Sequence, residues 1–135
     1  MLSAAARAAA SYQRAAVESE TPLALVVMLY DGAIASVTRA RDGAARNDLK
    51  TRRDGLSQAM AIVNQLQSSL DMSAGGDLSQ SLDSLYTFLV SRMVEANTKK
   101  DANALDEVHR LLCTLREGWQ QIANSQSGAS PRTQP

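Results

Sequence analysis

Cysteine is almost missing from this 135-residue chain. Cys113 stands alone, which excludes an internal disulfide and any metal cage built from thiolates. Set in an apolar helical run, it reads as a small core residue rather than a nucleophile. Aromatic residues are scarce as well, at 4% of the chain, with one Trp, one Phe and three Tyr. A core this poor in aromatics is assembled from Leu, Val, Ile, Met and Ala, which favours helices over sheets. Charge of one sign is also lacking. Fourteen basic residues balance fourteen acidic ones, so the chain has no cationic excess for displacing phosphate counterions, and no nucleic-acid partner is expected. No uninterrupted apolar run approaches the roughly 20 residues of a membrane span, so no membrane insertion is expected. The Ala-rich start is broken by Arg7 and Arg14 and contains no Leu-rich stretch. It does not read as a signal peptide, and the expected location is the cytosol.

What the chain does have is helical periodicity. Residues 1–19 form an alanine-rich arm in which Leu2 and Tyr12 are the only large apolar side chains between Met1 and Val17. Alanine favours helix but buries little, so this arm should dock weakly. The first firm helix opens at Thr21-Pro22, a cap followed by a proline at the first helical position. Its expected seam is Leu23, Val26, Tyr30, Ala33 and Val37, with Gly43 as C-terminal cap. Asn47 or Asp48 starts a second helix with seam Leu56, Met60, Val63, Leu66 and Leu70. After the turn Ser73–Gly76, Asp77 and Gln80 have the spacing of a capping box. The third seam is then Leu78, Leu82, Leu85, Leu89, Met93 and Ala96. Asp101 or Asn103 caps a fourth helix with seam Leu105, Val108, Leu112, Leu115, Trp119 and Ile122. From 124 to 135 the chain offers nothing to bury and reads as a disordered tail. Short turns between such helices predict an all-α, antiparallel up-down four-helix bundle over residues 20–123, with an N-terminal helical arm.

Chemistry finds no foothold in this pattern. A di-iron bundle needs two Glu-x-x-His motifs, whereas His109 is the only histidine and Glu107 lies on another face. A phosphotransfer site on His109 would be crowded by Arg110, Leu111, Leu112 and Cys113. Asp71, Asp77 and Asp83 lack EF-hand spacing. Gly75-Gly76 lacks the lysine and preceding strand of a phosphate loop. The pairs Arg52-Arg53 and Lys99-Lys100 read as solvated surface. No catalytic residue, metal site or cofactor is expected, and the chain does not read as an enzyme.

One stretch exceeds the needs of a solvated bundle. Leu23 to Tyr30 is apolar on every side for two turns. With the seam placed as above, Leu25, Met28 and Leu29 point away from it and need a cover. Three covers compete: the arm carrying Tyr12, a second copy of the chain, or a partner helix laid in a groove. Permanent packing of the arm as a fifth core element is the plain alternative.

The residues Glu20–Ile34 (ETPLALVVMLYDGAI), Leu70–Gly76 (LDMSAGG), Ser81–Tyr86 (SLDSLY), Val94–Asn97 (VEAN) and Leu115–Trp119 (LREGW), with Tyr12-Gln13 in the arm, resemble the flagellar secretion chaperone (FliS) family. The resemblance runs from about residue 12 to 122, with Ser81 and Gly118 standing where the family usually has Asn and Ala. It implies a small cytosolic helical bundle that binds the C-terminal region of newly made flagellin. Such binding prevents premature polymerisation and assists delivery to the flagellar type III export apparatus, with contacts to export gate components. No ATP, metal or cofactor is implied. By the same resemblance Tyr12 belongs to an arm lying over part of the flagellin groove, so the implied partner-binding residues are Tyr12, Leu25, Met28 and Leu29. A bundle that uses this face to form a homodimer, with no client, is the alternative from another class.

Overall fold

The structure is a computed structural model that describes residues 22–132, with the side chains of residues 22–125. Tyr12, Thr21 and the N-terminal arm lie outside the described residues. Four helices fill the described chain: α1 (Pro22–Ala45), α2 (Leu49–Ser68), α3 (Gly76–Lys99) and α4 (Ala102–Arg132). Helix α1 packs on α2 and α4, and α3 closes the square against the same two. The architecture is the expected all-α bundle. The backbone of α4 stays helical to Arg132, into the segment whose composition predicts a tail.

The helix ends follow local chemistry, in two places differently from expectation. Asp48 caps α2, its carboxylate accepting from the Thr51 backbone N–H at 3.2 Å and the Thr51 hydroxyl at 2.7 Å. Asp101 caps α4 by accepting from the backbone N–H groups of Asn103 and Ala104. Gly43, expected as the cap of α1, lies instead inside the helix. Asn47 takes the left-handed turn (φ 57°). The Asp48 N–H then reaches back to the Gly43 carbonyl and the Asn47 N–H to that of Ala44, which closes the helix end. The capping box at Asp77 is also corrected. Helix α3 begins at Gly76, two residues earlier than a cap at Asp77 implies, and its cap position, Gly75, makes no side-chain bond. Asp77 therefore sits within the first turn, where it meets only the positive end of the helix dipole.

Glycine does its work between α1 and α2. A Cβ on Gly55 would lie 2.6 Å from the Ser36 carbonyl oxygen and 2.8 Å from the Ala40 nitrogen. A Cβ on Gly43 would lie 2.6 Å from the Arg52 nitrogen. Two backbones thus approach closely, and α1 buries a wider arc than a single seam. Leu29, Ser36 and Gly43, seven residues apart, form a second buried stripe facing α2. Leu29, expected off the seam, is 3% exposed and part of the core for this reason. Arg52, expected at the solvated surface, is buried by the same approach.

The core itself runs from Tyr30, Ala33 and Val37 through Leu56, Val63 and Leu66 to Leu89, Met93, Val108 and Leu112. Some seam positions move, Ile122 among them, which is 46% exposed. Tyr86 is buried where Leu85 was expected, Leu85 is half-buried, and Leu78 is 63% exposed. The tyrosine can turn inward because its hydroxyl finds a partner: the Tyr86 and Tyr30 hydroxyls lie 2.6 Å apart across the diagonal of the bundle. Trp119 Nε1–H donates to the Tyr30 oxygen at 3.3 Å. Burial pushes the Tyr86 phenol far above its usual range, and the bond to Tyr30 adds to this. Burial also raises Tyr30, against the smaller opposing effect of its bonds to Tyr86 and Trp119.

These raised phenols set an alkaline limit on stability. Above about pH 10 the unfolded chain loses its phenolic protons while the folded chain keeps them, so the native state binds more protons and stability falls as pH rises. The expected slope is about 1.4 kcal/mol per pH unit for each phenol. Urea midpoints should be flat from pH 8 to 10 and drop beyond, with a shallower drop in Tyr86→Phe. An equal drop in that variant would detach the effect from this pair.

By length and composition α1 is apolar enough to cross a bilayer, although charged residues break its apolar run. In the bundle its apolar content is placed against α2 and α4 as core.

Candidate functional site

Cross-helix contacts give the levels at which residues on neighbouring helices meet. Arg92 on α3 binds Glu107 on α4 at 2.7 Å. Because the two helices are antiparallel, residue numbers at one level sum to about the same value as this pair. Phe88 then stands opposite Leu111, Leu85 opposite Leu115, Ser81 opposite Gly118, and Leu78 opposite Ile122. The phase agrees. Ser81, Leu85, Phe88 and Arg92 follow one another at steps of four and three, so they share the stripe that Arg92 turns toward α4. Glu107, Leu111, Gly118 and Ile122 form the answering stripe on α4.

The surface between these stripes is apolar and makes the candidate groove. Phe88 is 41% and Ile122 46% exposed, while Leu111 and Leu115 are half-buried and packed on the core beneath. Ser81, Ser84 and Gly118 keep the groove open, and a Cβ on Gly118 would meet nothing within 4 Å. Of the four neighbouring helix pairs, α3 and α4 touch least and α1 and α2 most. At one end the Arg92 guanidinium, paired with Glu107 and with Glu95 at 3.4 Å, closes the groove. At the other it runs out past Leu78 and Ile122. The exposed positions of α3 from Leu78 to Thr98 carry no charge at all. The outer faces of the other helices differ: α1 carries Asp31, Arg39 and Asp42, α2 carries Lys50, Arg53 and Asp54, and α4 carries Arg110 and Glu117.

The residues expected to contact a partner are not gathered into this groove. Leu29 is core, Leu25 is half-buried against it, and Met28 faces out from α1 at 39% exposure. Tyr12 lies outside the described residues. Reading seams alone overlooks the groove, since Leu78, Leu85 and Ile122 count there as core. The signal that finds it is the run of Ser81, Ser84, Thr87 and Ser91 on the outward side of α3. A solvated helix would place Lys and Glu at such positions.

Catalytic arrangements do not emerge. Among the described residues no three His, Cys, Asp or Glu side chains are grouped to hold a metal ion. His109 Nδ1 lies 3.9 Å from the Cys113 sulfur. Burial, with Arg41 nearby, lowers the pKa of the imidazole against the smaller opposing effect of Asp106. A half-buried imidazole crowded by these neighbours is poorly placed to take up phosphate.

Comparison with known proteins assigns the chain a family. The model of the family described as flagellar protein FliS matches residues 4–126. The chain belongs to the FliS family. Flagellar secretion chaperone FliS of Salmonella typhimurium is 38% identical over 80% of this chain and 81% of the relative. FliS of Escherichia coli is 33% identical over 91% and 94%. FliSB of Pseudomonas aeruginosa is 32% identical over 89% and 98%. FliS proteins are chaperones, not enzymes, in keeping with a site made of apolar surface.

Proposed function

We propose that this protein is a cytosolic export chaperone whose client is the C-terminal region of flagellin, held in the α3–α4 groove until the subunit reaches the flagellar type III export apparatus. The observation that carries the reading is the uncharged, open groove from Phe88 to Ile122 in a member of a secretion chaperone family. An amphipathic client helix laid there would cover Phe88, Leu78 and Ile122 and withdraw its own apolar stripe from other flagellins. A client that folds on binding gives up ordering entropy, so a large buried surface is needed for useful affinity. Continuing past Ile122, an extended client can reach Met28 on α1. Met28, with Leu25 beside it and Leu29 as its support, is the second proposed contact, and Tyr12 belongs to the arm proposed to cover that patch in the free protein.

Size-exclusion chromatography with light scattering tests the reading. Full-length flagellin should elute as a defined complex with this protein, and flagellin lacking its C-terminal region should elute separately. Complex formation with the truncated flagellin would overturn the choice of client segment. A free protein that forms stable homodimers through the groove and ignores flagellin would favour self-association.

A further inference from the structure

Gly118 stands in the middle of α4 with no reason in the free bundle to be glycine. Its backbone is ordinary helix, and a Cβ there would meet nothing within 4 Å. Gly43 and Gly55 differ, since a Cβ on either would strike the backbone of the neighbouring helix. Glycine is the poorest helix former after proline, because it gives up the most backbone freedom. Alanine at 118 would fit the free bundle and would steady α4.

The surroundings define what the open space suits. In the register set by Arg92 and Glu107, Gly118 faces Ser81, whose small side chain is also exposed. Large apolar side chains stand exposed on both sides of this level, Leu78 and Ile122 toward the open end and Phe88 toward Arg92. Leu85 and Leu115 lie between, half-buried, with Leu115 packed on the core. The apolar surface therefore has a gap at Ser81 and Gly118, bare of side chain on α4 and carrying only a hydroxymethyl group on α3.

Resting on the reading that the client lies in this groove, we propose that Ser81 and Gly118 determine its register and specificity. A large apolar side chain of the client helix, leucine-sized or aromatic, seats over Gly118 between Leu78 and Phe88. A third helix packs by placing side chains into spaces that its neighbours leave, and the widest space here is where α4 has no side chain. A client with a charged residue at that position would bury it unpaired, and one with alanine would leave the space unfilled.

The test reads melting temperature and flagellin affinity in the same variants, because the proposal gives them opposite signs. Gly118→Ala should raise the melting temperature by about 3 °C and weaken flagellin about threefold. Gly118→Leu, which fills the space from within, should melt no lower than the parent and weaken flagellin at least about thirtyfold. An alanine scan of the flagellin C-terminal region locates the seated side chain. At one large apolar position, alanine should cost the parent at least about tenfold in affinity and the Gly118→Leu protein about twofold or less, since the leucine already excludes that side chain. Additive losses at every position would overturn the proposal, and so would a Gly118→Leu protein that melts well below the parent. Phe88→Glu separates this proposal from the groove itself. Lost binding in Phe88→Glu beside full binding in both Gly118 variants would overturn the seat at Gly118 alone, whereas full binding in all three would overturn the groove with it.

Discussion

Phe88→Glu should abolish flagellin binding and leave the bundle folded. Phe88 is 41% exposed on the stripe of α3 that faces α4, so a carboxylate there remains hydrated in the free protein. Helicity should be unchanged and the melting temperature nearly so. A client helix lying in the groove would have to bury that carboxylate against apolar surface with no partner, the nearest guanidinium, Arg92, being already paired with Glu107. The expected loss is about a hundredfold in affinity, or about 2.7 kcal/mol, read by calorimetric titration. Asn64→Glu, on the exposed outer face of α2, is the matched control and should bind as the parent does. Equal affinity in Phe88→Glu and the parent would remove the α3–α4 groove from the account.

The second large effect separates two adjacent residues of α1. Leu29→Glu should unfold the protein, whereas Met28→Glu should keep its helicity and weaken the client by about tenfold. Leu29 is 3% exposed within the core, so no water can follow the new charge. Losing the leucine's burial and burying an unpaired carboxylate together cost about 4 kcal/mol or more, against the 5–15 kcal/mol typical of a whole domain. Far-ultraviolet circular dichroism with urea titration distinguishes the two. A folded Leu29→Glu would mean that Leu29 is not a core residue of the bundle.

Leu29 also shows where sequence reasoning stops. Helix number, order and antiparallel packing are legible from periodicity and from caps such as Asp48 and Asp101, because both depend on spacing along one chain. Which side of a helix meets which neighbour is set by how near the neighbour comes. Gly55 sits on α2, yet it decides the environment of Ser36 and Ala40 on α1, and Ser36 shares its buried stripe with Leu29. Nothing in the period of α1 records that approach. Leu85 and Tyr86 pose a similar choice, settled by the Tyr30 hydroxyl on the opposite helix. That the chain is not an enzyme was legible in its missing catalytic motifs, and its membership of a chaperone family agrees. The groove was half-legible. Its uncharged outer residues can be read directly, but that Phe88 faces Leu111 depends on the register between α3 and α4.

Thiol footprinting of the complex tests the central claim most directly. In a Cys113→Ser background, single cysteines replace Ser84 and Ser91 on α3 and Asn64 on the outer face of α2, all three exposed. Alkylation is timed with and without saturating flagellin. If the client lies along the α3–α4 groove, the cysteines at 84 and 91 should be modified at least about tenfold more slowly in the complex, while the cysteine at 64 keeps its rate. Unchanged rates at 84 and 91 beside a formed complex, or protection at 64 alone, would contradict it.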